Sequence, residues 1–173
     1  MNNYKKAVEE LAKNSEYMEF DNKGSEHASI VLENMLKYAD TNFKIYTGNF
    51  NGDVANDDSF LKYFNRFIEN KKEVKVIIES LPSDVLKYSK ALKRIIDLNN
   101  NPAYNVKYKL ATTTFKKDLE NIFQSKKPYH FSISDSKAYR VEIEPNTYKA
   151  IVNFNDPQIT KKLELIFDNF FQN

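Results

Sequence analysis

The sequence predicts an α/β protein with a mixed, mainly parallel sheet and helices on both of its faces. Three observations lead there. Between Asn42 and Phe123, short β-branched or aromatic runs alternate with amphipathic helical patterns, the order that builds right-handed crossovers between parallel strands. After Pro128 the order becomes strand, turn, strand, strand, which adds a hairpin region and makes the sheet mixed. The strands also carry apolar residues in near-continuous runs, as strands covered on both faces do.

Each element has its own signal. Tyr4 to about Tyr17 places Ala7, Leu11 and Ala12 on one helical face, so residues 1–20 read as an N-terminal helical extension. Ser25 is placed to cap a helix whose apolar stripe is Ala28, Val31, Leu32, Met35, Leu36 and Ala39. "NFKIYTG" reads as a strand running into "GNFNGD", which holds two of the three glycines, Gly48 and Gly52. Glycine there suits a tight turn and also lets a ligand approach the backbone. "DDSFLKYFNRFIENKKE" follows as a helix capped by Asp58 or Ser59, with Phe60, Leu61, Phe64, Phe67 and Ile68 inward. "VKVIIE" suits a sheet interior. A further helix is expected from Ser83 or Asp84 to about Leu98, with Val85, Leu86, Ala91, Leu92, Ile95 and Ile96 inward, ending before the Asn99–Asn101 run and Pro102. "NVKYKLA" is the third strand, and "TTTFKKDLENIFQSKKP" a helix led by threonine caps. The strands "YHFSIS", "AYRVEIE" and "YKAIVNF" come next. The closing helix has Asp156 as cap, Pro157 in its first position and Ile159, Leu163, Ile166, Phe167 and Phe170 on one face. No composition shift or repeat divides the chain, so residues 1–173 are expected to form one domain.

Composition excludes several chemistries. Without cysteine there is no disulfide, thiolate nucleophile or cysteine-bound metal, and two histidines leave little for a histidine-rich centre. No metal and no cofactor are therefore expected. No apolar run approaches the roughly 20 residues that span a bilayer, and the charged start does not resemble a secretion signal, so the protein is expected to be cytoplasmic with no membrane span. A net charge of +2 permits a nucleic-acid partner without implying one.

"PYHFSISDSKAYRVEIEP", from Pro128 to Pro145, holds one of the two histidines and one of the three arginines among alternating carboxylates. Alternation places His130, Ser132 and Ser134 on one face of the first strand and Arg140, Glu142 and Glu144 on one face of the second. If the "SDSK" turn pairs the strands, His130 and Ser132 lie across from Arg140 and Glu142. Such a set suits a phosphate or a histidine oriented by a carboxylate. It equally suits a solvated hairpin face whose Arg–Glu pair contributes less than ~1 kcal/mol.

The element order from Glu26 onward resembles one half of the phospholipase D superfamily. "FLKYFNRFIENKKEVKVIIE" is similar to the helix-and-strand unit of those domains. "NFKIYTGNF" is similar to the preceding strand whose end borders their site, which places Gly48 and Asn49 at its edge. "HFSISDSKAYRVE" followed by "AIVNFND" resembles a worn form of the signature His-x-Lys-x4-Asp and its asparagine-bearing strand. The resemblance implies a phospholipase D-like half domain in which His130 matches the nucleophile that forms a phospho-enzyme, and Asn153 the asparagine. Ser132 stands at the lysine position and Lys137 at the aspartate position, with Asp135 two residues early. Loss of that lysine removes positive charge where a phosphoryl transition state needs it. Arg140 is the residue that could replace it. The resemblance also implies a homodimer sharing two histidines at one site. His27, in the first turn of its helix, reads as local packing.

The reading that follows is a catalytically reduced module with a pocket around His130, Arg140, Glu142 and Asn153, flanked by Ser132, Gly48 and Asn49. It would act by binding a phosphate-containing ligand or nucleic acid, or by assembling with partners. Two alternatives stay open: a metal-independent phosphodiesterase or nuclease using His130, and a purely structural interaction domain.

Overall fold

The computed structural model describes residues 2–50, 52–81, 84–127 and 129–172, leaving Ser83 and Pro128, and the side chains of Val85 and Leu86, outside the described set. In chain order the elements are α1 (Asn2–Asn14), β1 (Phe20–Asn22), α2 (Ser25–Tyr38), β2 (Asn42–Thr47), α3 (Asp53–Asn56), α4 (Asp58–Glu69), β3 (Glu73–Ile78) and α5 (Val85–Tyr88). They continue with α6 (Lys90–Leu98), β4 (Val106–Leu110), α7 (Thr113–Phe123), β5 (His130–Ser134), β6 (Ala138–Glu144), β7 (Lys149–Asn153) and α8 (Pro157–Gln172). The strands form one sheet in the order β1-β7-β6-β5-β2-β3-β4.

The sheet is mixed, but mainly antiparallel rather than mainly parallel. Only β2–β3 and β3–β4 pair parallel; the pairings of β1 with β7, β7 with β6, β6 with β5 and β5 with β2 are antiparallel. The crossovers through α4 and α6 serve only the first half, whereas tight connections after β5 can only reverse the chain. The strand β1, which no sequence pattern indicated, adds a further antiparallel edge.

Helices cover both faces. On one side α2 packs on α4 and α1 on α2, over a core that includes Val31, Met35, Phe43, Phe60, Phe64, Val76 and Ile95. On the other, α7 and α8 contribute Phe115, Leu119, Leu163 and Phe167 against Tyr46, Phe131, Ile133 and Val141. Lys44 is buried on this second face and reaches Glu164 at 2.6 Å and Asp168 at 2.7 Å, tying α8 to the sheet. Among the described residues no helix is long and apolar enough to cross a membrane.

Several local expectations shift. In α1 the buried residues are Val8 and Ala12, while Ala7 faces water, because the face that meets α2 is turned by one residue. Gly24, with φ 88°, precedes α2, so Ser25 is its first residue rather than its cap. Asp57, not Asp58 or Ser59, caps α4 by accepting from the Phe60 amide. The helix expected to run to Leu98 is broken at Ser89, whose hydroxyl accepts from the Leu92 amide and starts α6 anew. Thr112 and Asp156 cap α7 and α8, both as expected. Ile159 remains exposed although its spacing fits the apolar face of α8.

The turn between β5 and β6 fixes the register on which the site depends. Asp135 and Ser136 both have positive φ, 52° and 55°, within the three-residue connection Asp135–Lys137 that leaves Ser134 paired with Ala138. The Asp135 carboxylate accepts from the amides of Asp40, Thr41 and Asn42 at 2.6, 2.9 and 3.1 Å and from the Thr41 hydroxyl at 2.8 Å. Burial opposes its charge, but these donors outweigh burial and hold the carboxyl below its usual range. Asp135→Ala is expected to lower stability by about 2 kcal/mol, read as a lower urea midpoint with unchanged far-ultraviolet circular dichroism.

Candidate functional site

The site forms where β5 starts, beside the ends of β2 and β3. Because β5 runs antiparallel to β2, with Phe131 opposite Tyr46, His130 comes next to the loop that leaves β2 at Gly48. A Cβ at Gly48 would stand 3.5 Å from His130 Cε1, an ordinary contact, so the loop packs against the imidazole without requiring glycine. Gly52, by contrast, has φ 108° and lies under the Tyr148 hydroxyl. Asn49 is half-buried in the same loop.

The register is the one the alternation predicts, with His130 opposite Glu142 and Ser132 opposite Arg140. His130 lies between two carboxylates: Nδ1 is 3.4 Å from Glu142 Oε1, and Nε2 is 3.4 Å from Glu79 Oε1. These are long hydrogen bonds, to which the charges of the two carboxylates add. The Tyr46 hydroxyl donates to the same Glu79 oxygen, and its ring meets the imidazole edge-on with centroids 5.4 Å apart. Burial disfavours a charged imidazole, yet Glu142 and Glu79 outweigh it and push His130 up from 6.5 to about 9. Its proton in turn takes Glu79 down to about 2, helped by Tyr46 and opposed by burial. An imidazole protonated on both ring nitrogens has no lone pair for attack on phosphorus.

Arg140 is 5% exposed, and each of its nitrogens has an internal partner. Nη1 donates to Glu142 Oε2 at 3.0 Å, Nε to Asn22 Oδ1 at 3.2 Å and Nη2 to the Tyr148 carbonyl at 3.0 Å. Asn22 also donates to that carbonyl, at 3.1 Å. The guanidinium therefore closes an internal network, with each of its nitrogens already engaged. Ser132 is buried beside a small cavity of about 70 Å³ shared with Arg140, Glu142 and Tyr148.

Asn153 is not brought into this cluster. It pairs in register with Tyr139, one residue off Arg140, and so lies on the opposite face of the sheet, where its Oδ1 accepts from the Asn155 amide at 2.9 Å. His27 stacks on Tyr4 with ring centroids 3.7 Å apart, a packing contact. Among the described residues no cluster of three or more histidine or carboxylate side chains is arranged to hold a metal ion.

A groove of about 670 Å³ opens beside His130, lined by Glu79, Lys116, Lys127 and Tyr129 and by the turn Pro145–Thr147. Sequence reasoning missed Glu79, Tyr46, Asn22, Tyr148 and both lysines. Glu79 alone had a signal: it follows a strand expected to run parallel to β2, and sites in such sheets gather at strand carboxyl ends.

No family model and no curated protein matches the chain. Solved structures do. NucT from Helicobacter pylori superposes with TM-score 0.60 at 14% identity, covering 91% of this chain and 97% of that one. TrmBL2, an archaeal chromatin protein described as showing a novel mode of DNA binding, gives TM-score 0.59 at 14% identity over 99% of this chain. Phosphatidylserine synthase from Haemophilus influenzae gives 0.50 at 12% identity over 89%. The likeness is one of fold. It is consistent with the phospholipase D-like architecture that the sequence resembles. The chain spans 60% of TrmBL2 and 38% of the synthase.

The charge arrangement sets the pH dependence of stability. His130 is raised on folding, so its contribution is complete below 6.5 and is lost as pH climbs through about 9. Glu79 is lowered, so its contribution is complete above 4.5 and is lost as pH falls through about 2. Urea midpoints measured across the alkaline range should fall between pH 6.5 and 9 in the native protein and stay nearly level in His130→Gln.

Proposed function

We propose that this chain is a phospholipase D-like module that has given up hydrolysis and works by binding nucleic acid. The observation that carries the reading is the imidazole of His130 held between Glu79 and Glu142, with serine where the family's phosphate-binding lysine would stand. A nucleophile needs a free ring nitrogen and a cation beside the phosphate; here the nitrogens are engaged and Arg140 is occupied elsewhere.

The groove beside His130 supports the binding half of the proposal. Lys116 and Lys127 supply charge for phosphates, and the half-buried Tyr129 offers a ring on which a base can stack. Its acidic lining is already answered: Glu79 by His130 and Tyr46, Glu144 by Lys149. That NucT and a DNA-binding chromatin protein share the fold makes nucleic acid the first ligand to test.

The open groove at the imidazole favours one second reading, a metal-independent phosphodiesterase in which substrate displaces Glu79 from His130. Both readings are tested on one preparation. Labelled DNA should bind in fluorescence anisotropy with an affinity that falls as salt rises, and Lys116→Glu with Lys127→Glu should weaken it roughly tenfold or more. With chelator present, an activated phosphodiester and DNA should show no turnover that differs between native protein and His130→Ala. Turnover lost in His130→Ala establishes the phosphodiesterase instead; absence of both binding and turnover leaves a structural interaction domain.

A further inference from the structure

The two sides of the groove beside His130 differ in charge. Lys116 comes from α7 and Lys127 from the segment leading into β5, whereas the connection from β6 to β7 brings Glu144, Pro145, Asn146 and Thr147 to the lining, and no cation. The Glu144 side chain, 51% exposed, meets Lys149 at 3.5 Å and the Thr147 hydroxyl at 3.2 Å, so this side offers a phosphate no attraction. Just before β5 the half-buried Tyr129 ring rests on Phe123 with centroids 5.1 Å apart, which holds it as a platform at the groove.

Resting on the proposal that this groove binds nucleic acid, we infer that its ligand is a single strand, with an unpaired base stacked on Tyr129 and the backbone along Lys116 and Lys127. A single strand carries one row of phosphates and turns its bases away from it, which matches a groove with cations on one side and none on the other. A duplex carries two rows, and seated in the same groove its second row would meet Glu144. Its bases are also stacked on one another, so none could use the Tyr129 ring without first leaving the helix. The Asn146 side chain, exposed on the turn, offers both a donor and an acceptor to the edge of an unpaired base. The groove's volume of about 670 Å³ falls in the ~300–1,000 Å³ range of sites that enclose one small ligand, the scale of a nucleotide rather than of a turn of duplex.

Fluorescence anisotropy with single-stranded DNA, single-stranded RNA and duplex DNA of one sequence tests it. A single strand of either sugar is expected to bind at least about tenfold more tightly than the duplex. Tyr129→Leu should weaken the single strand about tenfold and leave the duplex unchanged, whereas Tyr129→Phe, which keeps the ring, should bind as the native protein does. A 2-aminopurine base in the strand should lose fluorescence on binding the native protein, a sign of stacking that does not depend on how a variant folds. A duplex that binds as tightly as the single strands, through Lys116 and Lys127, overturns the inference and leaves the nucleic-acid reading standing. Single-strand binding that is indifferent to Tyr129→Leu and quenches no fluorescence overturns it in the same way. Failure to bind any of these ligands overturns the nucleic-acid reading and the inference together.

Discussion

Burying a guanidinium against the middle of a sheet obliges each neighbour to answer its charge. Arg140 sits on β6, flanked by β5 and β7 and covered by the α2 side of the protein, where an unpaired cation would cost several kcal/mol. Asn22 on β1, the Tyr148 carbonyl before β7 and Glu142 on β6 answer it directly. Glu142 has a second oxygen, and that oxygen faces His130. The other side of His130 faces Glu79, which also receives the Tyr46 hydroxyl. One buried charge thus propagates through alternating partners from the β1 edge to the junction of β2 and β3. Removing one member leaves its neighbours with charges that no longer cancel, so the cluster is a unit rather than a set of separable pairs.

The fold is consistent with a phospholipase D-like architecture, and the resemblance assigns His130 the place of a nucleophile. Its surroundings suit the opposite task. A nucleophilic imidazole is kept neutral on the attacking nitrogen with cations waiting for phosphate, whereas this one is flanked by anions that stabilise its proton. The histidine holds charges together within the sheet. Lys116 on α7 and Lys127 before β5 line the open groove beside it.

Much of this was legible in the sequence, and the parts that were not share a cause. The 3.6-residue stripes of α2, α4 and α8 and the two-residue alternation of β5 and β6 are local signals, so helix positions and the His130–Glu142 and Ser132–Arg140 register followed from them. Strand polarity did not, because the order of strands in the sheet is a long-range property. Parallel pairing was inferred from crossovers that serve only β2, β3 and β4, and β1 reaches its place through residues remote in sequence. Asn153 illustrates the same limit. The resemblance places it with His130, but pairing with Tyr139 turns it to the other face, as a one-residue change of register must. Glu79 reaches His130 from the end of β3, across the intervening β2, a neighbour no local pattern names.

The charges around His130 lead to the expectation that its imidazole carries two protons in the folded protein near neutral pH. The ring nitrogen-15 chemical shifts of His130, assigned by comparison with His130→Gln, test it directly. Both nitrogens should show protonated, imidazolium-type shifts. A pyridine-type shift on either nitrogen, the mark of a neutral tautomer with a free lone pair, would contradict it and return His130 to the role of nucleophile.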